Sequence, residues 1–258
     1  MNDILNFLNS HASVREFTKK EITTDEEKLI VTTAQRSPTS SNLQVYSIIG
    51  IRDDTKKTKL SKLCGNQKHV EESALFLVFC ADLYRLYKIN KSKGYSYNGD
   101  YTELFIVATV DAALVAGRAL MAAQALGYGG VMVGGIRNKI EEVADLLNLP
   151  DLCYPLMGMS LGEPIKPSKI KPRLPMDAIY QREKYDDSHD AELIASYDAV
   201  MDKMGYLKNN QIMPERFSDY EGNYSWSEHS ARRMANGNPS ASRPQILTFL
   251  QSRGFLKK

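Results

Sequence analysis

Three polar residues at alternate positions near the start of the chain carry side chains suited to an anion. His11, Ser13 and Arg15 occur in the segment HASVREF, and in an extended segment side chains two residues apart point to the same side. An imidazole, a hydroxyl and a guanidinium on one side suit a phosphate, which accepts several converging hydrogen bonds and pairs strongly with arginine. An exposed edge strand with solvated side chains is the alternative interpretation of this spacing.

A second pair of cations lies in the segment KIKPRLP, residues 169–175. Lys171 and Arg173 are two residues apart, and the prolines around them fix the backbone in an extended form. The pair predicts a second anion site, with a solvated basic loop as the alternative. Gln67, in the segment CGNQKHV, has an amide that can recognise a carbonyl or amide edge of a ligand.

The glycine-rich segment GYGGVMVGG, residues 127–135, does not match the dinucleotide-binding fingerprint. With glycines at 127 and 129, that fingerprint requires a third at 132, where this chain has Met132, and these glycines follow a predicted helix instead of a strand. The segment instead predicts a tight turn from helix to strand and a backbone that a flat ligand can approach. Simple turn formation is the alternative.

The sequence lacks the motifs of hydrolases and metalloenzymes. It contains no HExxH, CxxC or P-loop, and its four histidines lack metal-ligand spacing, so we expect no metal site. An organic cofactor is then the catalytic agent if the protein is an enzyme. Three widely spaced cysteines favour a reducing cytoplasm. A net charge of +2, with 31 acidic residues and no basic stripe, gives no support for nucleic-acid binding.

The elements that would position these residues are helices around a sheet. Apolar and β-branched runs predict strands at 45–53, at 74–82 in the centre of the sheet, after the glycine turn, and at 156–164. Predicted helices cover 2–9, 23–36, 101–126, a segment ending before Pro150, 190–204, 226–235 and 243–253. The polar segment 85–100 is predicted to be a surface excursion.

The segment 101–126 is apolar on nearly every face of its predicted helix. Asp111, Arg118 and Gln124 interrupt it and would be costly in hydrocarbon, so a core helix is preferred to a membrane span. Its remaining faces would pack against the rest of the core or against a second subunit.

Taken together, these segments resemble the FMN-dependent nitroreductase family, and within it the NADPH-preferring oxygen-insensitive nitroreductases and flavin reductases. The resemblance rests on an ordered set: HASVREFTKKEI, SSNLQVYSIIGIRD, GNQKHV, GYGGVMVGGIRN, YPLMGMSLGEP and KPRLP. It implies an α+β fold with a central, mostly antiparallel sheet surrounded by helices, in an intertwined homodimer. Residues 1–258 would form a single domain whose residues 175–258 are an arm packing on the core and on the partner subunit.

The resemblance also implies the residues that bind FMN. They are His11, Ser13, Arg15, Thr39, Gln67, Tyr128, Gly129, Gly130, Val131, Lys171 and Arg173. His11 and Ser13 would serve the phosphate end together with the later cation pair, and Arg15 would lie by the pyrimidine edge of the isoalloxazine. The family pattern has an arginine where this chain has Ala12, so one contact on the phosphate side is expected to be missing.

The implied activity is an NAD(P)H-dependent reduction of nitroaromatics, quinones or flavins by ping-pong hydride transfer through FMN. Arg15 would give electrostatic support, and no side-chain acid or base is required. A flavin-binding protein without turnover is the alternative function. The arginines with which relatives read the 2′-phosphate of NADPH have only Lys208 and Arg216 as candidate substitutes here, so NADPH and NADH both stay open. A small-molecule acceptor is the expected partner, with no nucleic acid and no membrane.

Overall fold

A computed structural model describes residues 2–205, 207, 210–235, 238 and 242–258. The chain divides into two compact units, Met1–Lys169 with Pro244–Lys258, and Ile170–Arg243. The last segment of the chain therefore belongs to the first unit, and the second unit begins at Ile170. Lys208, one of the candidate coenzyme residues, lies outside the described residues.

The first unit is built on a four-stranded sheet in the order β1–β2–β4–β3, with every neighbouring pair antiparallel. The strands are β1 Tyr46–Ile51, β2 Leu75–Asp82, β3 Gly129–Val133 and β4 Cys153–Gly162. All eight residues of β2 are buried, as expected of a central strand whose sequence is an unbroken apolar run. The predicted antiparallel sheet is confirmed, and β3 is one of its edges.

Helices surround this sheet and form the second unit. In the first unit they are α1 Asp3–Asn9, α2 Thr24–Ala34, α3 Asp54–Leu63, α4 Lys68–Glu71, α5 Tyr84–Ser92, α6 Thr102–Ala125, α7 Ile140–Leu146 and α10 Gln245–Ser252. The second unit contains α8 Asp190–Met204 and α9 Trp226–Met234. The predicted capping box begins α2: the Thr23 N–H donates to the Glu26 carboxylate at 2.8 Å, and the Glu26 N–H donates to the Thr23 hydroxyl at 3.2 Å.

The first half of the segment 85–100 lies at the surface as predicted, since no residue of α5 is buried, but its helical conformation was not predicted. One face of this helix is covered, because Leu86 packs against the core that contains Leu83, and Tyr87 packs edge-on against Tyr97 with ring centres 5.4 Å apart. The charged residues on its other face make the segment look like a loop in composition. Three or four apolar contacts are enough to stabilise a short helix that propensity alone does not indicate.

The longest helix, α6, packs its small side chains against the sheet. Ala108, Ala112 and Ala119 are fully buried, and the helix contacts all four strands. Its length and composition would suffice to cross a membrane, with a mean hydropathy of 1.8 in its most apolar stretch. The opposite face exposes a row of large apolar residues: Ile106, Val110, Leu114 and Met121. Within this chain, the described residues therefore cover one face of α6 and leave the other uncovered.

Candidate functional site

The segment that carries the first candidate residues lies along the free edge of β3. The Val14 N–H donates to the Gly130 carbonyl at 3.0 Å, and Phe17 forms an antiparallel bridge with Pro164. Val14 and Phe17 are buried, Ser13 is half-buried and Arg15 is exposed. Val14 and Phe17 are three residues apart, and Glu16 between them is exposed. The two-residue alternation expected of an extended segment therefore does not continue beyond Arg15.

Gly129 of β3 allows this close approach, and Gly130 offers its backbone to the segment. A Cβ atom on Gly129 would lie 2.5 Å from Val14 Cγ2 and 2.9 Å from Pro164 Cγ, so any larger residue would displace the segment. The Gly130 carbonyl points away from β4 towards Val14, and in an antiparallel strand the N–H of the same residue points to the same side. The edge of β3 therefore presents both backbone groups of Gly130 beside the segment.

His11 is held at the end of α6. Its Nδ1 lies 3.0 Å from Nε2 of Gln124. With the amide nitrogen as donor, Nδ1 accepts, and the proton of the neutral imidazole is then on Nε2. His11 can therefore offer an N–H group to a ligand while Gln124 fixes the orientation of its ring.

Gln67 lies immediately before α4, against the chain that follows β3. Its backbone N–H donates to the Ser61 carbonyl at 3.3 Å, and its own carbonyl accepts from the Ser61 hydroxyl at 3.0 Å. A Cβ atom on Gly135 would lie 2.8 Å from Gln67 Nε2. The absence of a side chain at Gly135 thus makes room for the Gln67 amide, which joins two segments that the sequence places far apart.

His69, which the sequence motifs did not single out, lies near enough to Arg15 for the two charges to interact. Its Nδ1 lies 3.4 Å from the hydroxyl of the buried residue Ser160 on β4. Burial lowers the pKa of His69, and the nearby charge of Arg15 lowers it further. Arg15 is therefore close to a histidine that stays neutral near neutral pH. Its only signal in the sequence is its place two residues after Gln67.

Thr39 belongs to a different part of the first unit. It borders an open groove of about 340 Å³, whose other wall consists of Ile106, Val110 and Leu114 of α6. Among the described residues, no hydrogen bond joins Thr39 to the segment at β3. The structure thus brings the N-terminal segment, the predicted residues of β3 and Gln67 together. Thr39 forms no hydrogen bond with them among the described residues.

The side chain of Tyr128 faces away from the N-terminal donors. It is buried, with Lys20 Nζ 5.6 Å from its ring centre. Burial and the neighbouring Glu26 carboxylate raise the pKa of its phenol. These neighbours belong to the start of α2 and to the chain before it. The backbone of Tyr128, and not its side chain, is therefore the part that could contact a ligand beside the N-terminal segment.

Lys171 and Arg173 belong to the second unit. Arg173 Nη1 donates to the Lys171 carbonyl at 3.0 Å, and the Tyr197 hydroxyl donates to the Pro172 carbonyl at 3.0 Å. Both cations line a cavity of about 650 Å³ whose walls include Tyr197 and Trp226. Two cations beside an apolar wall suit an anionic group attached to a planar ring.

The side chains of the predicted set fit an anionic flavin nucleotide by their chemistry. Imidazole, hydroxyl, guanidinium and ammonium groups all donate to phosphate oxygens, and an amide with a guanidinium suits the carbonyl and nitrogen edge of a flavin ring. In contrast, no group of three or more His, Cys, Asp or Glu residues that could hold a metal ion occurs in the described part of the chain.

Family models match the chain in two stretches, the nitroreductase family over residues 8–163 and the nitroreductase family C-terminal domain over residues 171–258. The chain belongs to the nitroreductase family. The resemblance inferred from the ordered segments is therefore confirmed. The two matched stretches meet close to residue 170, where the second unit begins, although Pro244–Lys258 of the second stretch belong to the first unit.

Relatives within the nitroreductase family are similar over most or all of their length. An FMN reductase (NADPH) of Bacillus subtilis is 39% identical over 223 residues, which are 85% of this chain and 90% of that protein. An NADPH-flavin oxidoreductase of Vibrio harveyi is 34% identical over the whole of both chains. A solved nitroreductase structure from B. subtilis superposes with a TM-score of 0.87 at 35% identity and covers both chains completely. The nitroreductase fold is thus confirmed.

Proposed function

We propose that this nitroreductase-family protein is an FMN-dependent oxidoreductase that uses NADPH or NADH to reduce nitroaromatics, quinones or flavins. The observation that carries the proposal is the hydrogen bond from Val14 to Gly130, which lays the donor segment along the edge of β3. Family membership over nearly the whole chain supports it. So do the relatives, which carry the names FMN reductase and NADPH-flavin oxidoreductase.

The residues assigned to the cofactor divide into two groups by their chemistry. His11 and Ser13 are proposed to bind the phosphate, and the same role is proposed for Lys171 and Arg173. Arg15, Gln67 and the backbone of residues 128–131 are proposed to contact the ring system, and the hydroxyl of Thr39 is a further proposed donor to FMN. Bound FMN would supply the two-electron chemistry that lets one site accept a hydride from a nicotinamide and deliver it to an acceptor.

Arg15 is the residue that we assign to electrostatic support of the reaction. Its guanidinium is exposed in this chain, and the neighbouring His69 is neutral near neutral pH because its pKa is lowered. Arg15 is then the positive charge of this cluster. A fixed positive charge stabilises negative charge that develops on a bound ring, and such preorganised groups commonly supply several kcal/mol. No side-chain acid or base is needed.

A homodimer in the cytoplasm is proposed as the working form. The exposed apolar residues on α6 form a continuous row, whereas apolar residues scattered singly on a surface are normal. Such a row suits contact with a second copy of the chain. All three cysteines are free and buried, which accords with a reducing compartment. A small-molecule acceptor is the proposed partner in turnover.

The spectrum of the purified protein tests this function. The protein should absorb as a flavoprotein, lose that absorption when NADPH or NADH is added without oxygen, and recover it with a quinone or nitroaromatic. Stopped-flow reduction with the two coenzymes in parallel gives the preference between them. A protein that binds FMN but consumes no NAD(P)H would indicate storage or sensing, and one that gains no flavin absorption would refute the proposal.

A further inference from the structure

The loop between α2 and β1, residues 39–45, holds three non-glycine residues in the left-handed region. The φ angles are +49° at Ser41, +56° at Asn42 and +54° at Gln44. Asparagine tolerates this conformation, but serine and glutamine adopt it at a cost in free energy. A short loop with two such residues persists only when its surroundings hold it.

A single buried carboxylate holds both ends of this loop. Asp111 of α6 is 1% exposed. One of its oxygens accepts from the Ser40 N–H at 3.0 Å, and the other accepts from the Val45 N–H at 3.3 Å. Each oxygen is thus committed to one end of the loop, and hydrogen bonds to an ionised acceptor are stronger than neutral ones.

The position of Asp111 relates this anchor to the groove beside Thr39. Asp111 follows Val110, and both line that groove with Thr39 and Ser40. Arg85 supports the loop from its other end, donating to the Gln44 carbonyl at 3.1 Å. The conformation of the hydroxyl-bearing residues Thr39 to Ser41 therefore depends on α6 through one side chain.

We propose that Asp111 is a positioning residue of the cofactor site, fixing the loop so that the hydroxyl of Thr39 is oriented for FMN. This inference rests on the proposed function, because Thr39 is one of the residues assigned to the flavin. Asparagine at 111 keeps the size of the side chain but has only one acceptor oxygen, so one loop N–H would face an NH₂ group. The loop would then lose one of its two anchors while the fold of α6 is kept.

The test compares Asp111→Asn with Asp100→Asn as the control. Asp100 is a half-buried carboxylate in the same unit, with Oδ2 3.0 Å from Lys258 Nζ. Asp82 is unsuitable as a control, because its carboxylate lies 3.7 Å from Arg85, which supports the loop. The dissociation constant of FMN, measured on apoprotein by quenching of flavin fluorescence, should rise about tenfold in Asp111→Asn. It should stay within about twofold of wild type in Asp100→Asn, although both variants should melt at lower temperature.

A second substitution separates positioning from general support of the fold. Glycine at position 44 adopts a φ of +54° without strain, so Gln44→Gly should restore about threefold of the lost FMN affinity in the Asp111→Asn background. If Asp111→Asn does not fold, Ser40→Pro removes the same hydrogen bond from the loop side, and it should weaken FMN binding severalfold.

The outcomes distinguish this inference from the proposed function. Wild-type protein that fails to quench flavin fluorescence would overturn both. Wild-type protein that binds FMN, with Asp111→Asn or Ser40→Pro binding within twofold of it, would overturn only the role of Asp111. Failure of Gln44→Gly to restore affinity would also count against a positioning role.

Discussion

Arg15 places a permanent cation near the neutral imidazole of His69, which contacts Ser160 of β4. Arg15 supplies the positive charge of this pair. The neutral histidine keeps a nitrogen that can form a hydrogen bond, without adding a second positive charge. It follows that substitutions in this cluster should have distinguishable effects on binding and on reaction rate.

Arg15→Ala should slow reduction of bound FMN by at least about tenfold, since it removes a preorganised charge from the reacting ring. Its effect on FMN retention should be smaller. Stopped-flow measurement of flavin bleaching, combined with the FMN dissociation constant, separates the two. Ser13→Ala and Arg173→Ala should show the opposite balance, with weaker retention and nearly unchanged reduction of the cofactor that stays bound. The reverse pattern would contradict the assigned roles.

Acidification should destabilise the fold through His69. In the unfolded chain its imidazole titrates near its ordinary pKa of about 6.5, whereas burial and Arg15 lower the pKa in the folded protein. The unfolded state therefore binds more protons below about pH 6.5, and the free energy of unfolding falls as the pH decreases through that value. Urea unfolding at several pH values should show a shallower fall in His69→Gln than in wild type, with the exposed His189→Gln as control. Equal slopes in all three proteins would refute this.

At the scale of elements, the packing of the N-terminal segment on β3 depends on Gly129. Gly129→Ala should destabilise the protein by about 1–3 kcal/mol and weaken FMN binding, because the new methyl group would meet Val14 and Pro164. Gly134→Ala is the matched control, since its nearest neighbour would be a flexible arginine atom at 3.5 Å. Thermal unfolding and FMN titration of both variants check this. An alanine at 129 that binds FMN as tightly as wild type would show that the segment is not held in place by this contact.

Elements with a strong pattern were predictable from the sequence, and those held by single contacts were not. The apolar run of β2, the length of α6 and the capping box of α2 each carry a local signal that needs no tertiary information. In contrast, α5 is stabilised by a few side chains on one face, and α3 combines a polar sequence with a buried lysine whose Nζ donates to the Ser73 carbonyl at 2.7 Å. Such contacts join segments that are distant in the sequence, so they cannot be recognised from the periodic pattern of apolar residues.

The candidate site shows the same division between local and distant information. The ordered segments were sufficient to indicate the family, because its characteristic residues occur in short motifs. The proposed donor residues come from the same motifs. His69 and Asp111 were not selected as site residues, since their relevance depends on Ser160 and on the loop 39–45, which the fold brings to them from other parts of the chain.

At the scale of the whole molecule, the uncovered face of α6 predicts self-association. Val110→Glu should convert the proposed homodimer into a monomer, because a carboxylate in an apolar interface would be buried without a partner. Ile89→Glu on α5, at another exposed apolar position, is the control and should leave the dimer intact. Size-exclusion chromatography with light scattering measures the mass of each. A wild-type protein of monomer mass would remove the basis for this interface.

The hydrogen bond from Val14 to Gly130 also bears on the solubility of the protein. A free sheet edge is a template on which another chain can add a strand, and covering it is a common protection against aggregation. Here the cover is the segment that also carries His11, Ser13 and Arg15. Protection of the sheet edge and the proposed binding of FMN thus depend on the same segment, so we expect a substitution that detaches it to weaken both.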